Sequence, residues 1–256
     1  MSDTLYLPSP FQLRYFDSVE NTNAIACEAG RAGENHLVVW AREQTEGRGR
    51  RGRQWTSPEG NLYCSLLIRP EMAASAAMQA SFVAAISLAD TIASVLPRSA
   101  LTQVKWPNDV LIEDRKVAGI LLEAGHGTGD AIDWLVVGTG VNIESHPEGT
   151  PWPATSLHRE GCKTVSEEKL LEIYCLRFLA WYVTWKKLGF GPVRQAWLRR
   201  ARGIGEAVTV RVGSETIEGL FEGMDEDGAL ILDQMGVKRR ITAGDVFPPE
   251  PFSPHT

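Results

Sequence analysis

Trp134-Leu135-Val136-Val137-Gly138-Thr139-Gly140-Val141-Asn142 reads as a buried strand whose apolar run is interrupted by two glycines. A compact apolar run marks such a strand, and glycine within it suits close approach of a ligand or of another stretch of backbone. Around this segment, strand-like and helix-like stretches alternate as far as Arg202. Strands are predicted at Leu13–Phe16, Leu37–Ala41, Leu62–Ile68, Thr102–Trp106, Val110–Glu113 and Lys116–Ala124, with Asp114-Arg115 as a hairpin turn between the last two. Helices are predicted over Asn23–Gly30 and Ala76–Leu96, from the cap Ser166 to Leu188, and over Phe190–Arg202. Three prolines and a glycine between His146 and Thr155 mark a surface loop. Beyond Gly203, short strands at Val208–Val212, Glu215–Glu222, Ala229–Asp233 and Val237–Ile241 are joined by tight turns such as Asp227-Gly228. The expected organisation is an α+β chain: a mixed-sheet catalytic body over residues 1–203 and a small barrel over 204–256, with a fraying Pro-rich tail from Pro248.

With 256 residues, 43% of them hydrophobic, the chain can bury a large core, and its formal net charge is −6. A dedicated nucleic-acid binder carries a basic balance or a long basic face, so no nucleic-acid partner is expected. Met1 to Leu5 shows no basic stretch leading into an apolar one, and no segment reaches the ~18 apolar residues of a membrane span. A cytoplasmic protein without a membrane partner is expected. Cys27, Cys64, Cys162 and Cys175 are widely spaced and read as reduced packing thiols. The five histidines have no metal-ligand spacing, and no protein-held metal is expected.

Against this acidic background stands Glu46-Gly47-Arg48-Gly49-Arg50-Arg51-Gly52-Arg53-Gln54-Trp55, with four arginines and three glycines. The glycines free the backbone to approach a ligand, and the guanidinium groups suit carboxylate and phosphate. An anion should order this loop. Other polar segments accompany it: Asn21-Thr22-Asn23 where a strand turns into a helix, Gln44, and Lys105-Trp106-Pro107-Asn108-Asp109 between strands, followed by Lys116 and Gly119.

In this order, the segments Asn-Thr-Asn, Gly-Arg-Gly-Arg-Arg-Gly-Arg-x-Trp, Lys-Trp-Pro-Asn-Asp, Arg-Lys-x-x-Gly and Gly-x-Gly-x-Asn resemble the biotin protein ligases from about residue 13 to residue 143. The C-terminal strands are similar to that family's SH3-like last domain. The resemblance implies a biotin/lipoate-ligase-type catalytic domain. It also implies two steps: biotin's carboxylate attacks the α-phosphate of ATP, and a lysine of a carboxylase's biotin carrier domain then displaces AMP. By resemblance, Arg48 and Arg50, with Arg53 in support, hold the anions together. Lys116 lies between carboxylate and α-phosphate, and Asp109 orients the incoming amine or takes its proton. Thr22, Asn23, Gln44 and Ser65 would bind the ureido ring, Trp55 would close an apolar wall, and Gly119, Leu121, Gly138 and Gly140 would floor the pocket. Gly49 belongs to the same loop, and Asn142 would face the adenosine. Mg²⁺ is expected with ATP, held by phosphate oxygens and water. Asn21 stands where the family often has Ser, which puts its biotin contact in question.

Two competing functions are weighed. A lipoate–protein ligase uses the same kind of scaffold, but the Arg/Gly run and Lys-Trp-Pro-Asn-Asp look like the biotin branch. A DNA-binding, biotin-responsive repressor would need a helix-turn-helix, for which the residues before Asn21 are too few, so no operator binding is expected. Related ligases occur as monomers and as dimers joined through sheet edges, and a homodimer stays open.

Overall fold

The computed structural model describes residues 5–97, 100–127, 129 and 131–248; Met1 to Thr4 and the tail beyond Pro248, on which two of the readings above fall, lie outside them. The chain runs β1 (Gln12–Val19), α1 (Thr22–Arg31), β2 (Leu37–Gln44), β3 (Leu62–Ile68), α2 (Ala74–Ala77), α3 (Gln79–Val95), β4 (Thr102–Lys105), β5 (Asp109–Ile112), β6 (Arg115–His126) and β7 (Ile132–Val141). Then come α4 (Glu167–Leu188), α5 (Phe190–Leu198), β8 (Ala207–Val212), β9 (Glu215–Met224), β10 (Leu230–Gln234), β11 (Val237–Ile241) and β12 (Asp245–Phe247).

The first seven strands form one mixed sheet in the order β1-β2-β3-β7-β6-β5-β4. Only β1 and β2 are parallel, joined by the α1 crossover. The opening segment of the sequence, β7, lies in the middle between β3 and β6. Its continuous apolar run follows from cover on both faces. Leu66, Cys64 and Val137 join the large core under α3 and α4. Val39, Leu67, Trp134 and Val136 pack instead against Ala26, Cys27 and Ala29 of α1. All four cysteines are buried free thiols. Alternation along β7 puts Gly138 and Gly140 on the α1 face, opposite Leu121 and Gly119 of β6. That face runs on past the first residues of α1, where the sheet is uncovered by the helix.

Several boundaries differ from expectation for local reasons. The β5–β6 turn is Glu113-Asp114, one residue earlier than Asp114-Arg115, because Ile112 pairs with Arg115. Both turn residues are left-handed, with φ of 47° and 62°, the geometry that matches strand twist but usually calls for Gly or Asn. The expected Ala76–Leu96 helix is two helices, α2 and α3. Helix α5 stops at Leu198 rather than Arg202 because Arg200 O accepts from Val104 N, and Arg202 N donates to Val104 O, drawing these residues alongside β4.

The C-terminal strands form a separate antiparallel sheet in the order β11-β10-β9-β8-β12. The expected small barrel takes this form, with edge strands β11 and β12 not hydrogen-bonded to each other. Strand β12 was not anticipated. The sheet docks on the body through the buried Trp106, whose Nε1 donates to Gly228 O at 3.0 Å. Gly228 has φ +98°, and a Cβ there would lie 2.5 Å from the ring of the fully buried Phe82. Gly228→Ala should therefore destabilise the protein by about 2–4 kcal/mol in urea unfolding, from left-handed strain plus overpacking; a change within ~0.5 kcal/mol would show that this docking is loose.

Candidate active site

At the start of α1, Asn21 caps the helix by accepting from Ala24 N at 3.2 Å and donates its amide to Glu46 O at 3.2 Å. Thr22 N and its hydroxyl both donate to Gln44 Oε1, at 2.9 and 3.1 Å. Gln44 Nε2 donates onward to Ser57 Oγ at 3.0 Å. Asn23 turns its amide nitrogen to Glu123 Oε2 at 2.7 Å. Beneath them the Ser65 hydroxyl sits 2.8 Å from Thr22 Oγ1 and 2.6 Å from Asn23 Oδ1. These side chains are therefore preorganised by one another. The glycines opposite make room for them: a Cβ on Gly138 would meet Asn23 Oδ1 at 2.1 Å, and one on Gly140 would meet the Trp55 indole at 2.5 Å. Asn23 and Trp55 thus pack directly against these two glycines, which also line the cavity. Trp55 Nε1 is buried without an acceptor among the described residues.

Facing this network is a buried carboxylate. Asp109 lies 2.6 Å from Lys116 Nζ through Oδ1 and 2.9 Å from Lys105 Nζ through Oδ2. Burial by itself would raise its pKa, but the two ammonium groups outweigh burial and hold the carboxyl well below the usual carboxylate range. Lys116 reaches this place because of a bulge. Val110 pairs with Ala118 but Leu111 pairs with Lys116, leaving Val117 extra. Val117 and Ala118 are both in the core under α3. Strict alternation would put Lys116 on that core face with Ala118 and Ile120; the extra residue re-aims it toward Gly119. A Cβ on Gly119 would indeed stand 3.3 Å from Lys116 Nζ. Lys105, absent from the expected site, is held 4.6 Å from the ring centre of Trp152 and 6.0 Å from that of Phe247.

The arginine loop closes over these groups. Arg50 Nη1 donates to Asn108 Oδ1 at 3.1 Å and to Gly244 O at 3.3 Å. Burial lowers its pKa, partly offset by Asp245 and Asp109. Arg48 is largely exposed, with Glu46 3.6 Å away. The segment from His146 to Thr155 is more than a surface loop. It runs beside Lys116, whose N donates to Pro153 O at 2.7 Å and whose O accepts from Thr155 N at 2.9 Å. Asn142 pins the end of this loop by donating to Thr155 O at 3.0 Å.

A cavity of about 370 Å³ joins all of this, within the range of small-molecule sites. Asn21, Thr22, Asn23, Gln44, Arg48, Gly49, Arg50, Trp55, Asp109, Lys116, Gly119, Leu121, Gly138, Gly140 and Asn142 line it. Ser65 does not; it supports Thr22 and Asn23 from below. Trp152, Asp245 and Phe247, also in the lining, carried no recognisable signal in the sequence. Lys105 did, standing four residues from Asp109 beside it in the polar cluster. Both carboxylates of the lining, Asp109 and Asp245, are paired with cations. That donor set does not suit a divalent ion held by the protein itself. The arrangement offers one end rich in amide and hydroxyl groups and another rich in cations, suited to a neutral polar head and an anionic tail.

The chain matches the model of the Biotin/lipoate A/B protein ligase family over residues 7–199 and that of the Biotin protein ligase C terminal domain over 203–247. It is 40% identical over 233 residues to the biotin–[acetyl-CoA-carboxylase] ligase of Paracoccus denitrificans, covering 89% of this chain and 97% of that protein. It is 32% identical to the bifunctional ligase/repressor BirA of Bacillus subtilis, covering 91% of this chain and 73% of that protein. Among solved structures, the biotin protein ligase of Aquifex aeolicus in complex with biotin and ATP superposes with a TM-score of 0.77 at 26% identity, over 92% of this chain and 97% of that one.

Asp109→Ala would leave Lys105 and Lys116 without their shared counter-charge and should cost about 3 kcal/mol or more at pH 7. Because folding depresses this pKa, the contribution is complete above the unfolded value of about 4 and is lost as pH falls from there toward the folded value. Urea titrations should show a wild-type advantage that is constant at neutral pH and narrows below about pH 4. An advantage unchanged in acid would contradict the pairing.

Proposed function

Because the chain belongs to the biotin/lipoate A/B protein ligase family, we propose that it is a biotin protein ligase that makes biotinyl-5′-AMP from biotin and ATP and transfers biotin to a carrier-domain lysine. The observation that carries this reading is the single cavity in which the Thr22–Asn23–Gln44 network, the arginine loop and the Lys116–Asp109–Lys105 cluster meet. Thr22, Asn23 and Gln44 present the amide and hydroxyl groups that a ureido ring requires, and Trp55 forms the apolar side. Asn21 is spent on capping α1 and on Glu46, so it shapes this end instead of reaching the ring.

In the first step a carboxylate oxygen bonds to the α-phosphorus and pyrophosphate leaves. Both reactants are anions, so their approach requires fixed cations. Lys116, aimed into the cavity by its bulge, stands where charge builds on the reacting oxygens. Arg48, exposed and weakly paired, is free to swing onto the carboxylate, while Arg50 guards the phosphate side. Mg²⁺ accompanying ATP would be held by phosphate oxygens and water. In the second step the acceptor amine attacks the biotinyl carbonyl and AMP leaves. Asp109, an ionised carboxylate already shared by two ammonium groups, is a poor proton acceptor and orients the cations and the incoming amine. The acceptor is a biotin carrier domain of the acetyl-CoA carboxylase type, and the reaction is cytoplasmic. Dimerisation through a sheet edge is compatible with this chemistry and is not required by it.

Pyrophosphate exchange into ATP should depend on biotin and not on lipoate; exchange with lipoate alone would overturn the substrate assignment. Lys116→Ala should reduce that exchange by about 100-fold, the scale of a preorganised charge, with an unchanged far-UV circular dichroism spectrum. A loss of less than about 3-fold would remove Lys116 from the chemical step.

A further inference from the structure

Glu123 stands on β6 two residues beyond Leu121, and pairs with Val136 of β7 as Leu121 pairs with Gly138. Residues 121 and 123 therefore present their side chains on the α1 face. Leu121 lines the cavity and Glu123 sits just outside it. The Glu123 carboxylate still reaches the cavity wall, because its Oε2 accepts from Nδ2 of the buried Asn23 at 2.7 Å. The same nitrogen lies 3.4 Å from Leu121 O. To make these contacts Asn23 crosses the backbone of β7 at Gly138, where a Cβ would stand 2.1 Å from Asn23 Oδ1. A hydrogen bond to an ionised carboxylate is about twice as strong as a neutral one, so Glu123 dominates the orientation of this amide.

The two ends of an Asn amide have the same shape and opposite hydrogen-bonding character. A carboxylate accepts only, so Glu123 holds Nδ2 toward itself and turns Oδ1 toward Ser65. Oδ1 also accepts only, and the Ser65 hydroxyl, 2.6 Å away, donates to it with Thr22 Oγ1 as a second acceptor at 2.8 Å. The Thr22 hydroxyl in turn donates to Gln44 Oε1 at 3.1 Å. The hydroxyl hydrogens are thereby committed inside the network, and Thr22 Oγ1 and Asn23 Oδ1 act as acceptors. We propose that Glu123 is a positioning residue for the ligand head: by orienting Asn23, it makes this end of the cavity a receptor for N–H donors. With the amide reversed, its NH2 would face Ser65, and the Ser65 hydrogen would turn wholly onto Thr22 and occupy a lone pair there. This rests on the assignment of that end to a ureido ring, whose N–H groups need acceptors.

The test has two arms. In ligand-free protein, the Asn23 side-chain amide is identified in heteronuclear NMR spectra by its loss in Asn23→Asp. One of its protons should resonate downfield in the wild type and move upfield in Glu123→Ala. An amide proton that Glu123→Ala leaves unmoved overturns the proposal, whichever acid the enzyme activates. In biotin-dependent pyrophosphate exchange, Glu123→Ala should raise the KM for biotin by about 10-fold, the scale of a lost charge-assisted hydrogen bond. Its kcat and its KM for ATP should stay within about 2-fold of wild type. Glu123→Gln, whose side-chain oxygen still accepts, should keep the KM for biotin within about 3-fold. A Glu123→Gln variant as impaired as Glu123→Ala, or a parallel rise in the KM for ATP, would show that Glu123 supports the fold at large and would also overturn the proposal. Wild-type protein that shows no exchange with biotin would sink the ureido assignment and leave the NMR arm to decide the role of Glu123.

Discussion

A carboxylate taken out of water needs compensating charge, and in this protein Asp109 receives it from two lysines at once. Much of the cavity's geometry depends on that demand. One lysine comes from the end of β4 and is close in sequence. The other lies on β6 and reaches the carboxylate only because an extra residue in the strand rotates Lys116 from the core face to the cavity face. The cost of burying Asp109 thereby enforces the bulge, and the bulge places a cation against Gly119 at the floor of the site. The carboxylate, in turn, is kept ionised and weakly basic. A group in that condition arranges cations and does not exchange protons near neutral pH.

The rest of the site shows the same economy of internal partners. Ser65, Thr22, Asn23 and Gln44 satisfy one another, so the polar end of the cavity holds its shape before any ligand arrives. Asn23 and Trp55 occupy the space released by Gly138 and Gly140. The acidic balance of the chain fits this picture. The cations that line the small-molecule-sized cavity come from one loop and two lysines, within a chain whose formal net charge is −6. Reactive acyl phosphates hydrolyse, and cover by the arginine loop and the Trp152 loop removes water from such a group.

What could be read from the chain and what could not follow from distance along it. Leu62–Ile68 was legible to the residue because a buried strand announces itself by composition between turn signals, and the largely exposed edge strand Val237–Ile241 because turn residues bound it. Lys116, Asp109 and the arginine loop were legible through ordered motifs. The β5–β6 turn was misplaced by one residue because neither Glu113 nor Asp114 is a residue that left-handed geometry favours. The bulge at Val117 was invisible, since two adjacent apolar residues look the same in a regular strand. Ser65, expected at the ligand, lies beneath the cavity lining and donates to Thr22 and Asn23, a depth that residue type does not reveal. Asp245, Phe247 and Trp152 reach the cavity through tertiary docking of the C-terminal sheet and a proline-rich loop, and nothing local marks them.

The account's central claim is that the two ends of this cavity hold the two ends of one ligand, with Lys116 at the bond being made. A crystal structure of the protein grown with biotin and ATP tests it most directly. The account predicts biotinyl-5′-AMP in the cavity, its ring beside Thr22, Asn23 and Gln44, its acyl phosphate at Lys116, and residues 46–55 closed over it. Ligand bound elsewhere on the chain, or an acyl phosphate out of reach of Lys116, would contradict it.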